Sequence, residues 1–186
     1  TLISEEEIKN YYDNNDIYGK ISTKHILVQT SDTMTDEEAL KTANEIIAKL
    51  DSGTSFDDVA KEYSDDIVTE NVDFDSFNEA SLEETYVEAG KSLEKDSYTK
   101  EPVKTSYGYH VIYCINKEEK PTFEQVENDI VEKLGKDREA EDQYIRYKAL
   151  IKLREDNKLT FKDNKFKEDY KEYCDQVNSA SGTEIN

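Results

Sequence analysis

The sequence has no tryptophan and only two cysteines, two prolines and two histidines. Cys114 and Cys174 are too few for a disulfide framework, and they lack the CxxC spacing of a zinc site. A bridge between the two stays open from sequence. There is also no Gly-rich phosphate loop, no GxSxG and no HExxH. We therefore expect a protein without a metal or a cofactor.

Positive charge is also scarce. The chain has 24 Lys and Arg against 44 Asp and Glu, which gives a formal net charge of −20. Nucleic-acid phosphates and anionic membranes would repel such a chain, so nucleic-acid binding is excluded. No apolar run approaches the length of a membrane span. The remaining partners are basic or unfolded polypeptides.

The pattern of elements predicts an α+β domain. Capping boxes at Ser4–Glu7, Thr35–Glu38 and Thr122–Gln125 each predict the start of a helix. Predicted strands cover 20–29, 72–77 and 109–116, and predicted helices cover 1–15, 35–52, 55–63, 82–89, 122–153 and 164–177, with a brief extended piece at 159–161. A strand, two helices, a strand, a helix and a strand pair describe a small sheet covered by helices.

Both histidines lie on predicted strands. His25 is on the first strand and His110 on the last, and in a small sheet these strands can be neighbours. A buried imidazole has one donor and one acceptor to satisfy, so two adjacent rings would need partners. From composition alone the structural interpretation is favoured over the catalytic one.

Three motifs shift this balance. The strand motif 24–28 (KHILV), the segment 56–64 (FDDVAKEYS) and the closing motif 102–112 (PVKTSYGYHVI) stand in order. Together they resemble the parvulin-type peptidyl-prolyl cis-trans isomerases. The resemblance implies a parvulin domain over 19–117, with a small antiparallel sheet wrapped by helices.

The same resemblance implies a site. Its catalytic positions correspond to His25, Asp66 and His110, where Asp66 matches a Cys-or-Asp position facing the rotating bond. Its substrate-binding positions correspond to a proline cup and to polar groups beside the histidines, namely Phe74, Leu82, Tyr86, Thr105 and Tyr107. No metal or cofactor is implied.

The chain departs from the parvulin pattern in three places. Asn71–Asp75 stands where the family has a Gly-Gly-Asp-Leu-Gly stretch, so we expect the loop 65–73 to be rebuilt. Lys95–Tyr98 stands where a glycine precedes the closing motif. Tyr86 also replaces a Phe. These changes keep an alternative open, in which a weak or inactive parvulin domain acts as a chaperone or client-binding module.

The flanks extend the resemblance. The segments 3–12 and 122–126 are similar to PrsA-type foldase lipoproteins of Gram-positive bacteria. This implies that residues 1–18 and 118–178 form a helical, chaperone-like body, and that 179–186 form a disordered tail. It also implies an exported protein, lipid-anchored at the outer face of the cell membrane or in the cell wall, with the anchor upstream of Thr1. Its clients would be unfolded or partly folded exported polypeptides with X–Pro bonds.

Overall fold

The computed structural model describes residues 3–66 and 71–180. The chain divides into two compact units, one formed by Asp16–Thr122 and the other by the N-terminal helix together with the three C-terminal helices. The helices are α1 (Glu5–Asn14), α2 (Asp36–Asp51), α3 (Phe56–Tyr63), α4 (Glu84–Ser92), α5 (Phe123–Glu141), α6 (Ile145–Asp156) and α7 (Asn164–Ala180), and the strands are β1 (Ile21–Gln29), β2 (Val72–Phe74), β3 (Val103–Thr105) and β4 (Gly108–Lys117).

The sheet of the central unit confirms the predicted α+β class. Its four strands follow the order β2-β1-β4-β3, and every neighbouring pair is antiparallel. The longest ladder joins β1 to β4 from Ile21↔Lys117 to Gln29↔Gly108, with one irregularity between Ser22 and Thr23. The first and last predicted strands are therefore neighbours, and they bring the two histidines to one sheet.

Helices cover both faces of this sheet. On one face, α2 and α3 pack their apolar stripes on Ile26, Val28 and Val111, which are almost fully buried. On the opposite face, α4 packs against Phe74 and Ile112. Side chains alternate between the two faces of a strand, so the sequence of β1 supplies both cores.

Gly90 sets the distance between α4 and the sheet. A Cβ atom at position 90 would lie 2.6 Å from Cζ of Phe74, well inside van der Waals contact. The absence of a side chain at this position lets the helix approach the phenyl ring closely. Tyr86, one turn earlier on α4, is thereby brought down onto the sheet.

The turn before the closing motif contains Asp96 and no glycine, although the parvulin pattern has a glycine in this segment. Asp96 has φ 62°, in the left-handed region that favours glycine. Aspartate is among the residues that tolerate this region. Two backbone hydrogen bonds hold the turn, from Asp96 N–H to the Cys114 carbonyl and from Cys114 N–H to the Ser97 carbonyl, both 2.8 Å.

The helical unit joins α1 to α5. The capping box of α1 forms as predicted, with the Glu7 carboxylate accepting from Ser4 N–H at 2.8 Å. Ile8 is buried in this unit, as are Val126 and Ile130 of α5. The rings of Tyr12 and Phe123 meet edge to face at 5.6 Å, and Arg138 pairs with Glu7. The apolar stripe of a short helix is thus covered by a partner helix.

Several predicted boundaries differ from the structure. The predicted helix over 122–153 is two helices, because Asp142 accepts from Tyr144 N–H and turns the chain between α5 and α6. Residues 159–161 do not form a strand. Ser179 and Ala180, predicted to begin a disordered tail, belong to α7, and the rest of that tail and part of the predicted loop 65–73 lie outside the described residues.

The division into units also differs slightly from the predicted boundaries at 18/19 and 117/118. Ile17 is only 3% exposed, and the ring of Tyr18 contacts that of Phe74. At the other end, Glu118 N–H donates to the Lys20 carbonyl at 2.9 Å. These contacts attach both short segments to the central unit.

We predict that a piece spanning residues 16–122 folds cooperatively on its own. It should be more stable than a piece spanning 19–117 by about 1.5–3 kcal/mol, because the shorter piece lacks the buried side chain of Ile17. Urea denaturation of both pieces gives the comparison. Equal midpoints and slopes would show that Ile17 contributes nothing, and an unfolded 16–122 piece would show that this unit depends on the helices.

Candidate functional site

A pocket of about 690 Å³ opens on the α4 face of the sheet. It combines apolar side chains with polar groups from both long strands and from the loops that precede α4 and β4. Seven of the eight predicted site residues line it: His25, Asp66, Leu82, Tyr86, Thr105, Tyr107 and His110. Side chains far apart in sequence thus converge on one cavity.

The two histidines meet because β1 and β4 pair in one register. His110 lies opposite Leu27, and His25 is two residues from Leu27 on the same face of the sheet. The centroids of the two imidazole rings are 4.9 Å apart, with the planes inclined at 68°. The ring of Tyr86 packs edge to face on both, at 5.6 Å from His25 and 5.5 Å from His110. The three rings form the floor of the pocket.

Hydrogen bonds fix the direction of the Tyr86 hydroxyl. Thr23 donates its hydroxyl proton to the Val72 carbonyl at 3.0 Å, since a carbonyl can only accept. The Thr23 oxygen then accepts from the Tyr86 hydroxyl, 3.0 Å away. With its proton used, Tyr86 accepts from Nδ1 of His25 at 3.2 Å. The chain of bonds therefore specifies the tautomer of His25 that carries its proton on Nδ1.

This tautomer has a consequence at the other ring nitrogen. Nε2 of His25 lies 3.2 Å from Oδ2 of Asp66. A neutral ring protonated on Nδ1 would present a lone pair to the carboxylate, so this contact gains a hydrogen bond only when one more proton is shared by the pair. Burial lowers the pKa of His25, and Asp66 opposes that effect. The contact between His25 and Asp66 is therefore sensitive to the tautomer.

His110 is the more deeply buried of the two imidazoles, at 5% exposed. Its Nε2 forms a hydrogen bond with the Thr105 hydroxyl at 2.8 Å. The same hydroxyl oxygen accepts from Tyr107 N–H at 3.2 Å. Burial and the neighbouring His25 lower the pKa of His110 to about 4, which keeps this ring neutral at physiological pH. Its buried Nδ1 has no hydrogen-bond partner among the described residues, which is uncommon for a buried polar atom.

Phe74, the eighth predicted residue, does not line the pocket. Its side chain is fully buried and packs against Tyr86, with 6.4 Å between the ring centroids. It supports the pocket floor from behind. The mouth of the pocket is formed by Tyr107, whose side chain is 61% exposed, and by Leu82, which lies just before α4.

Sequence reasoning missed three polar residues that complete the site. Thr23 precedes His25 by two positions on β1, so the period of two along a strand is a signal that could have identified it. Glu83 accepts from Ser106 N–H at 2.9 Å and from the Ser106 hydroxyl at 2.5 Å. That pair joins the loop before α4 to the loop before β4, and no sequence period predicts it.

The arrangement suits a reaction that needs binding and polarity without covalent chemistry. Among the described residues, no three His, Cys, Asp or Glu side chains are grouped to hold a metal ion. The cavity instead offers an apolar cup at Leu82 and Tyr86 beside a neutral histidine and a carboxylate. Such a combination suits catalysis of rotation about an X–Pro bond, in which the proline ring is held while the preceding carbonyl moves.

Comparison with known proteins agrees with this geometry. The family model described as the PPIC-type PPIase domain matches residues 7–118. The chain belongs to this family of peptidyl-prolyl isomerase domains.

More specific relatives are the foldase proteins PrsA. This chain is 39% identical over 130 residues to the protein from Geobacillus kaustophilus, covering 69% of this chain and 42% of that protein. It is 31% identical over 189 residues to PrsA 1 of Listeria monocytogenes serotype 4b, covering 99% of this chain and 59% of that protein. A crystal structure of peptidylprolyl isomerase PrsA from Bacillus cereus has 28% identity and a TM-score of 0.55, over 91% of this chain and 60% of that one. The chain thus spans about half the length of these curated relatives.

The direction of the hydrogen bonds can be tested by Tyr86→Phe. We expect His25 to carry its proton on Nδ1 in the unaltered chain and on Nε2 in the variant, where the ring is free to donate to Asp66. Nitrogen-15 NMR shifts of the imidazole distinguish the two tautomers. Tyr107→Phe, which removes an exposed hydroxyl from the same pocket, is the matched control. A proton on Nε2 in the unaltered chain would contradict the proposed direction.

Proposed function

We propose that this chain catalyses cis-trans isomerisation of X–Pro bonds as part of a foldase for exported proteins. The observation that carries the proposal is the convergence of His25, His110 and Tyr86 on the floor of a pocket in a PPIC-type domain. The proposed substrates are unfolded or partly folded polypeptides, and no metal or cofactor takes part.

The proposed mechanism is differential binding of the twisted amide. The rotation barrier of an X–Pro bond arises from amide resonance and reaches about 18–20 kcal/mol. Leu82 and Tyr86 would hold the proline ring in the apolar cup, while the preceding carbonyl turns past His25 and Asp66. A pocket that fits the twisted form better than either planar form lowers the barrier without forming a bond. In this proposal the histidines position polar groups and transfer no proton.

The relatives support an extracytoplasmic setting. Foldase proteins PrsA are similar to this chain over most of its described length, and we propose the same role and location, with a lipid anchor at the outer face of the membrane. No helix of residues 3–66 and 71–180 has the length and apolarity needed to cross a membrane.

The activity can be measured on short X–Pro peptides, whose uncatalysed exchange takes tens to hundreds of seconds. We expect exchange well above background that is unchanged by a chelator. The rate should stay flat between pH 6 and 8, because His110 is neutral there, and should fall as the pH approaches its pKa of about 4. NMR exchange spectroscopy gives the rates. A background rate for every residue before proline would favour the alternative of a binding module without isomerase activity.

We further propose that the helical unit is a chaperone-like body whose order depends on α1. Deleting residues 1–15 removes Ile8 and the Tyr12 ring from α5, and it also removes the Glu7–Arg138 pair. Amide protection measured by hydrogen exchange should then fall in α5 and stay unchanged in β1 and β4. The double substitution Glu5→Gln with Glu6→Gln, which alters exposed residues of α1, is the control. Unchanged protection in α5 after the deletion would rule out this dependence.

A further inference from the structure

The charged residues that line the pocket are of one sign. Asp65, Asp66 and Glu83 contribute carboxyl groups to its described lining, and no Lys or Arg does. The lysines of the neighbouring strands have partners elsewhere, since Lys24 pairs with Asp57 and Lys104 with Asp36. The potential of the carboxylates at the pocket is therefore not cancelled by cations of its lining.

The segment of the sequence that supplies much of the pocket wall is also rich in acidic residues and poor in basic ones. Between residues 62 and 90 the chain contains ten acidic residues and no Lys, Arg or His: Glu62, Asp65, Asp66, Glu70, Asp73, Asp75, Glu79, Glu83, Glu84 and Glu88. This stretch supplies Asp65, Asp66, Leu82, Glu83 and Tyr86 to the pocket. A cleft lined by charges of one sign focuses the field and concentrates ligands of the opposite sign.

Glu83 is held in place and ionised. Its carboxylate accepts from the backbone N–H and the hydroxyl of Ser106, and these bonds lower its pKa. It directly follows Leu82 of the apolar cup, so its charge stands beside the proposed position of the proline ring. A fixed charge at this position acts on the residues that flank the proline.

The floor of the pocket offers a second, independent indication of a ligand with N–H donors. The hydrogen-bond chain from Val72 through Thr23 and Tyr86 leaves Nε2 of His25 as an acceptor in the neutral ring. The buried Nδ1 of His110 has no partner among the described residues, so this pocket atom is open to a bound ligand. The Nε2 lone pair of the neutral His25 ring and the carboxylates of the lining accept hydrogen bonds, so they are complementary to a cationic, donor-rich side chain.

We propose that the pocket selects X–Pro segments in which Lys or Arg flanks the proline. This inference rests on the proposed isomerase function, and it names the substrate class for that site. Peptides with Glu in the same position are disfavoured by the same charges. The pocket would thus recognise client polypeptides by the basic residues next to their prolines.

The test uses the full chain with three matched peptides that carry Lys, Ala or Glu before the proline, and three with the same residues after it. We expect kcat/KM to fall in the order Lys, Ala, Glu for at least one position. Each exposed carboxylate should contribute roughly a 1.4- to fivefold preference. Raising the salt from 0.01 M to about 1 M should reduce the preference, since the screening length shortens from roughly 30 to 3 Å.

Glu83→Gln keeps an acceptor for Ser106 and removes the charge, so we expect it to reduce the ratio of Lys to Glu peptides roughly two- to fivefold. Glu88→Gln makes the same charge change at an exposed position of α4 that does not line the pocket, and it should leave the ratio unchanged. An equal effect of both variants would attribute the preference to overall charge and overturn the role of the pocket.

Peptide binding, followed by NMR shifts of pocket amides, separates this inference from the function. Turnover with equal kcat/KM for Lys and Glu peptides would leave the isomerase standing and overturn the charge preference. Tighter binding of Lys peptides without turnover would support the preference and remove the isomerase. Equal binding of all peptides, or none, without turnover would overturn both.

Discussion

The antiparallel ladder between β1 and β4 is the constraint on which the site depends. One register fixes His110 opposite Leu27 and so brings His25 and His110 onto the same face of the sheet. A slip by one residue would turn one imidazole to the opposite face, toward α2 and α3. The burial of Ile26, Val28 and Val111 on that face opposes such a slip. The apolar core on one face thereby fixes the geometry of the polar site on the other.

The depth of α4 is a second constraint. Because Gly90 lets the helix approach Phe74, the Tyr86 hydroxyl reaches both Thr23 and His25. The replacement of a parvulin Phe by Tyr therefore does more than change a wall of the cup. It adds a hydroxyl to a network of buried groups, where each donor and acceptor influences the next. The site of this chain is therefore a variant of the parvulin arrangement in which the Tyr86 hydroxyl adds hydrogen bonds to Thr23 and His25.

Much of the fold could be read from the sequence because local signals agreed with the tertiary structure. The capping boxes at Ser4 and Thr35 form as predicted, and the two strands predicted to carry the histidines pair with each other. The break between α5 and α6 was missed because the apolar positions continue past it, while Asp142 redirects the backbone. The Glu83–Ser106 pair was missed because it joins loops 23 residues apart. Such contacts form only when the tertiary structure brings the two loops together, so no local sequence pattern predicts them.

Asp96 has a consequence for the thermodynamics of folding beyond its turn. A glycine at φ 62° would adopt this conformation without strain but would leave the unfolded chain freer. Aspartate reverses both effects, since it restricts the unfolded ensemble and strains the native turn. The chain also has no glycine between Gly53 and Gly90, the stretch that supplies half of the residues lining the pocket. A site built from such residues loses less backbone entropy on folding, so its order costs less of the free energy that the contacts supply.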